Sequence, residues 1–188
     1  QEELDTVPPV FGITRPANTW NPIRINFQHL SLLISDAWRA ENWKDKFTIW
    51  FKPTGWRPEN FEEKYPVNKI TDVYNYTKYG IDNSTKLVYW SITQVMITLL
   101  FVSYLFSNIA KIGFPNIFYY GFFIFITIYS YTELMDKNRF AILWESLRLV
   151  TALVIIYHFG DCFGLNSVFP FGNIAIIGYL IISLLISI

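Results

Sequence analysis

A chain of 188 residues with 15 Lys+Arg against 15 Asp+Glu has no basic excess with which to hold nucleic acid. With 52% hydrophobic and 19% aromatic residues, it is also too apolar for an ordinary soluble domain of that length. The excess is segregated, since residues 1–86 carry 11 Lys/Arg and 11 Asp/Glu and residues 87–188 only 4 of each.

Two domains follow from that division, a polar one over 1–85 and an apolar one over 86–188. The lone Cys162 excludes an intramolecular disulfide, and no CxxC or His/Cys cluster offers a structural zinc site. The chain opens Gln1-Glu2-Glu3-Leu4-Asp5, with neither an initiator Met nor a secretory signal pattern. The expectation is that the natural start lies upstream.

Residues 1–25 are punctuated by Pro8-Pro9, Gly12, Pro16 and Asn21-Pro22. Each proline fixes φ and removes a donor, so the segment is expected to be an extended or turning strap without a core. From Asn26 to Phe51 two short amphipathic helices follow. Phe27, Leu30, Leu33, Ile34, Ala37 and Trp38 form one face, and Trp43, Phe47, Trp50 and Phe51 continue at helical spacing. Asp36, Arg39, Glu41, Lys44, Asp45 and Lys46 lie between and opposite them. Such helices lie in a membrane interface or pack on another protein domain. Pro53, Gly55 and Pro58 stop the second helix, and residues 59–85 are expected to be an exposed polar connector.

Four stretches are apolar enough to cross about 30 Å of hydrocarbon as helices of about 20 residues, at approximately 87–107, 114–132, 140–159 and 168–188. The fold class is therefore all-α, an integral membrane bundle of about four transmembrane helices preceded by the strap and the two amphipathic helices. Tyr89, Trp90, Tyr104, Tyr119, Tyr120, Tyr129, Tyr131, Trp144 and Tyr157 are expected to form an aromatic belt near the span ends. Lys/Arg before the first span and Lys137 and Arg139 between the second and third predict that both termini are cytoplasmic, in a bacterial inner membrane or endoplasmic reticulum. The sequons at Asn75 and Asn83 then face the side where they are not glycosylated.

Candidate chemistry is sparse. Glu145 and Arg148 are three residues apart on one face of the third span, where each alone would cost about 2.5 kcal/mol or more and pairing reduces that cost. Ala141 and Ala152 extend the face and would let a neighbouring helix approach. The pair is expected to clamp helices structurally, with a polar path, as in a small channel or transporter, the weaker alternative. Glu133 and Asp136 are expected at headgroup level with Lys137 and Arg139. His158, Asp161 and Cys162 cluster at the end of the third span, but this spacing provides neither a thiolate partner nor three or four zinc ligands. His29 stands alone on the first amphipathic helix. His29 and His158 are thus weak candidates, and no ExxH pair, HExxH, GxSxG, Walker A or GxGxxG string accompanies them. Taken alone, the chain is expected to have no catalytic site and to bind no cofactor.

Particular strings carry a resemblance. Val10-Phe11-Gly12-Ile13-Thr14-Arg15-Pro16, Thr19-Trp20-Asn21-Pro22-Ile23, Trp43-Lys44-Asp45-Lys46-Phe47 and Phe51-Lys52-Pro53-Thr54-Gly55-Trp56-Arg57-Pro58 resemble the segment after the last histidine box of the sterol desaturase/fatty acid hydroxylase superfamily, in its alkylglycerol monooxygenase-like branch. Asp136-Lys137-Asn138-Arg139, Glu145-Ser146-Leu147-Arg148 and Tyr157-His158-Phe159-Gly160 are similar to that branch's C-terminal membrane region.

The resemblance implies a membrane-bound, non-haem di-iron oxidoreductase that uses O2 to hydroxylate or desaturate a lipid, with tetrahydrobiopterin as donor in this branch. It implies that both irons are held by histidine boxes upstream of Gln1, so that this chain is the C-terminal anchoring portion. One departure is that relatives carry a His in the string matching Asn26-Phe27-Gln28-His29-Leu30, where this chain has Gln28 followed by His29. The alternative is a non-catalytic membrane anchor or partner-docking subunit that meets a separate histidine-box domain.

Overall fold

A computed structural model describes residues 15–70, 72 and 75–188. The predicted strap residues 1–14, with Pro8-Pro9 and the Val10-to-Thr14 string, lie outside the described residues. The described residues are helical, with no strand among them: α1 (Pro22–Arg39), α2 (Trp43–Thr48), α3 (Phe61–Lys64), α4 (Thr85–Ile112), α5 (Asn116–Met135), α6 (Ala141–Phe159), a 3-10 turn (Leu165–Ser167) and α7 (Gly172–Ile186). They form two compact units, one of the described residues in 15–19 and 24–80, the other of Trp20–Ile23 with Ile81–Ile188.

In the first unit, helix begins four residues before the expected position. Pro22 opens α1, where its missing N–H costs nothing, and the Asn21 carboxamide oxygen accepts from Ile23 N at 3.0 Å. The polar connector contains the one-turn helix α3, whose Phe61 is buried, as are Ala40 and Ile49. Asp36, expected among solvated charges, is the buried residue of α1. The Phe27, Ile34 and Trp38 face is the exposed one.

The second unit is a helical hairpin succession in which α4 packs on α5, α5 on α6 and α6 on α7. Ser84 caps α4, its Oγ accepting from Leu87 N at 3.3 Å, and Gly113 ends it at φ +67°, a conformation that disfavours a side chain. One core joins Phe123, Ala152, Ile155, Cys162, Ile176 and Leu180, and a second joins Ile112, Tyr120 and Ile124. Several threonine hydroxyls inside the spans return to their own helices. Thr98 Oγ1 donates to Gln94 O at 2.7 Å, Thr127 Oγ1 to Phe123 O at 2.8 Å and Thr151 Oγ1 to Leu147 O at 2.8 Å, the satisfaction that a medium without water demands.

Three helices, α4, α5 and α6, are long and apolar enough to cross a membrane, and α7 is a shorter apolar helix. Their outer surfaces expose Leu100, Phe118, Val154 and Ile174 among many others, a continuous apolar coat suited to lipid and not to water. The chain is a multi-pass membrane protein. The fourth stretch differs from its expected length because turns over residues 168–171, with Pro170, consume its start, leaving 15 helical residues, about 22 Å at 1.5 Å per residue. The aromatic belt is also incomplete. Tyr89, Tyr119 and Tyr157 face outward, but Tyr120 is buried, stacks on Tyr104 at 6.3 Å and donates to Phe101 O at 3.0 Å.

Candidate functional site

Arg148 is fully buried on the inner face of α6, one turn from the equally buried Glu145. Its Nη2 donates to Glu145 Oε2 at 2.5 Å, and its Nη1 donates to Gln94 Oε1 of α4 at 2.9 Å and to Tyr179 Oη of α7 at 3.4 Å. Tyr179 also donates to Gln94 Oε1, and Gln94 Nε2 donates to Ser183 Oγ at 2.9 Å. The Arg148 guanidinium lies 5.3 Å from the Tyr179 ring centroid, and the Trp90 ring lies 6.1 Å from that tyrosine's ring. Ala141 and Ala152, on the same side of α6, are both buried, so small side chains flank the pair where helices meet. A residue from each of three helices is thus tied to one guanidinium. Glu145 Oε1 and Arg148 Nε have no hydrogen-bond partner among the described residues, and the pair's charges are compensated by each other, by Gln94 and by Tyr179.

A second constellation forms at the C-terminal end of α5. Glu133, expected at headgroup level, is fully buried. Its Oε1 accepts from Asn21 Nδ2 at 2.9 Å and its Oε2 from Asn138 Nδ2 at 2.6 Å. Asp136 Oδ1 accepts from Trp20 N at 2.9 Å, Lys137 Nζ donates to Asp82 O at 2.6 Å, and Asn83 Nδ2 donates to Met135 O at 3.0 Å. The charged Asp136-Lys137-Asn138 turn therefore holds both the segment before α1 and the segment before α4. Sequence reasoning missed this clamp because Asn21 and Glu133 are 112 residues apart and neither alone signals a partner. The only local trace is two asparagines beside helix-breaking positions.

The first unit is organised around Asp36. Arg57 grips it with Nε on Oδ2 at 2.7 Å and Nη2 on Oδ1 at 2.8 Å, while Nη1 donates to Tyr65 O at 2.8 Å. This bidentate fork satisfies a buried carboxylate as a lysine could not. Beside it opens a cleft of about 630 Å3 whose walls include Leu32, Leu33, Trp56 and Val67, with Arg15 and His29 at its margin. The Arg15 guanidinium donates to Gln28 O at 3.4 Å, and Gln28 Nε2 donates to Pro16 O at 3.2 Å. Lys69 Nζ, 2.7 Å from Glu62 Oε1, holds the exposed Glu62 carboxyl below its ordinary range.

The remaining candidates do not converge. His29 is exposed in the first unit, and His158 is exposed at the end of α6, edge-on to the Phe159 ring at 4.8 Å. Asp161 accepts from Asn166 N at 3.1 and 3.2 Å. Cys162 is buried, and burial followed by the charge of Asp161 pushes its thiol up to about 12, a protonated and unreactive state at neutral pH. Among the described residues no group of three His, Cys, Asp or Glu side chains could hold a metal ion.

These constellations tie helices to one another or to the turns that flank them. Over 155 residues the sequence is similar to human alkylglycerol monooxygenase. The identity is 27%, covering 80% of this chain and 34% of that relative, so the chain spans about a third of the relative's length. No protein-family model matches the sequence, and no solved structure matches it.

Proposed function

We propose that the chain is the membrane-anchoring portion of an O2-dependent, lipid-modifying oxidoreductase of the alkylglycerol monooxygenase type. The observation that carries this is a similarity to such an enzyme that extends over 155 residues of a multi-pass membrane chain. The substrate class is then a lipid of alkylglycerol kind, which partitions into the bilayer that α4, α5 and α6 cross. The charged α5–α6 turn and both chain ends face the cytoplasm on this reading, since Lys137 and Arg139 flank that turn.

The two irons and the pterin donor implied by the family resemblance do not fit the described residues. A di-iron site needs several imidazoles or carboxylates on two metals. Here His29 and His158 belong to different units and no three potential ligands cluster. Metal ligands would be supplied by polypeptide outside these residues, and no catalytic step is assigned to Glu145, Arg148, His29 or His158. Their contribution is to hold a bundle (Glu145, Arg148) or to line a surface (His29, His158).

The test has two parts. In the gene, the reading frame continued 5′ of the Gln1 codon is expected to encode HxxxH and HxxHH strings. The complete product in membranes is expected to consume an alkylglycerol only when O2 and reduced pterin are both supplied. A frame without such strings, together with failure to co-purify any histidine-rich membrane protein, would overturn the proposal.

A further inference from the structure

Helix α1 has two sides of different character. At 100° per residue, Phe27, Leu30, Ile34 and Trp38 share one sector, and Ile25, His29, Leu32 and Asp36 share the opposite one. The second sector is the packed one, because Asp36 is locked by Arg57 and Ile25, His29 and Leu32 line the cleft. The first faces outward, with Trp38 85% exposed. The outward face continues through Trp43 at 75%, Phe47 at 64% and Phe51 at 87% exposure. Isolated exposed apolar side chains need no explanation, but a run of large aromatics along two consecutive helices does.

Lysines interleave with these rings. Lys46 Nζ lies 5.7 Å from the Trp43 ring and donates to Trp38 O at 3.1 Å, and Lys52 Nζ lies 5.8 Å from the Trp56 ring, so that alkyl stems run along aromatic surface. Between Trp38 and Lys52 four basic residues, Arg39, Lys44, Lys46 and Lys52, outnumber Glu41 and Asp45. Trp and Phe with Lys at their edges is the side-chain chemistry of the headgroup layer.

Chain continuity supplies the lipid. The first unit ends at Gly80 and the transmembrane helix α4 begins at Thr85. At no more than about 3.5 Å per residue, the unit's last residue stays within about 18 Å of that helix. The aromatic face is therefore confined near a bilayer surface, and its binding is intramolecular in character. We infer that α1 and α2 lie in the headgroup–acyl boundary of the bilayer that α4 crosses. Trp38, Trp43, Phe47 and Phe51 sit among the outer acyl carbons, and Lys44 and Lys52 reach toward phosphates. This inference rests on the membrane spans and is independent of the oxidoreductase proposal.

The test uses the full chain in phosphatidylcholine/phosphatidylglycerol nanodiscs in a C162A background, with nitroxide labels placed singly at W38C, F47C, F51C and, as an aqueous control, E59C. Collision with O2, which concentrates in lipid, relative to collision with a water-soluble nickel chelate, is expected to be several-fold higher at positions 38, 47 and 51 than at 59. A ratio equal to the control at those three positions, or low collision with both reagents as when a protein partner covers them, overturns the inference. Should a cysteine variant not yield monodisperse nanodiscs, wild-type tryptophan emission in brominated-lipid nanodiscs decides the matter. Quenching that is diminished in W38F/W43F supports the inference, and quenching equal in the two proteins refutes it.

Discussion

Replacing Arg148 by Met while leaving Glu145 in place removes a guanidinium that is fully buried and bonded to Glu145, Gln94 and Tyr179. Interhelical side-chain hydrogen bonds within a membrane are worth only about 0.6 kcal/mol each on average. The larger effect is the stranded Glu145 carboxylate, for which breaking a buried pair costs about 3–5 kcal/mol. That is about a hundredfold to a few thousandfold in the folded-to-unfolded ratio. The double replacement E145L/R148M removes both charges together with the partnerless Glu145 Oε1 and Arg148 Nε. It leaves Gln94 bonded to Tyr179 and Ser183, so stability is expected to return to within about 1 kcal/mol of wild type or to exceed it. Equilibrium unfolding of the chain in mixed micelles with increasing dodecyl sulfate, followed by tryptophan emission, measures both variants. A single variant as stable as wild type, or a double variant no better than the single, would refute the assignment of the pair as a compensated clamp.

Four further outcomes are expected. Arg57→Met strands the buried Asp36 carboxylate and should destabilise the first unit by about 3–5 kcal/mol, seen as faster amide exchange over residues 36–65; Arg57→Lys recovers only part, because an ammonium cannot make the fork. Glu133→Leu leaves the Asn21 and Asn138 amides without their carboxylate, a loss of about 1–3 kcal/mol for each stranded group, read as faster proteolysis around Trp20. For Cys162, burial and Asp161 raise the thiol from 9 to about 12. Above pH 9 the folded chain thus keeps a proton that the unfolded chain releases, and stability falls as pH rises from 9 through about 12 while being unaffected below 9. Alkylation at pH 8 should accordingly be slow and should quicken in D161N. Labels at K137C and S167C, on the α5–α6 turn and between α6 and α7, should react with impermeant maleimide from opposite faces of sealed vesicles, and reaction from the same face would contradict a transmembrane α6.

Helix existence in the apolar half was legible because hydrophobic length alone dictates it. A stretch of about 20 apolar residues has few alternatives in lipid, and α4, α5 and α6 lie close to their expected bounds. The stretch at 168–188 was overestimated because composition does not register the turns over residues 168–171, which shorten α7 to 15 residues. The proximity of Glu145 and Arg148 was likewise readable, since three-residue spacing on a helix fixes it. Their attachment to Gln94 and Tyr179 was not, because those partners come from other helices.

In the polar half the amphipathic pattern was visible in the residues, whereas its direction was not. A helix carrying Phe27, Ile34 and Trp38 on one side and Asp36 on the other would ordinarily bury the aromatics. Here Arg57, 21 residues away, supplies Asp36 with two hydrogen bonds and turns the acidic side inward. Glu133 shows the same division, since its cost in an apolar setting is written in the sequence but the amides of Asn21 and Asn138 that offset it meet only in the folded chain. Sequence by itself determined which segments must be helices and which must meet lipid, because backbone hydrogen bonding and apolar length are local quantities. Which charges are buried, and by whom they are held, was decided only by tertiary structure, because a compensating partner is defined by distance in space.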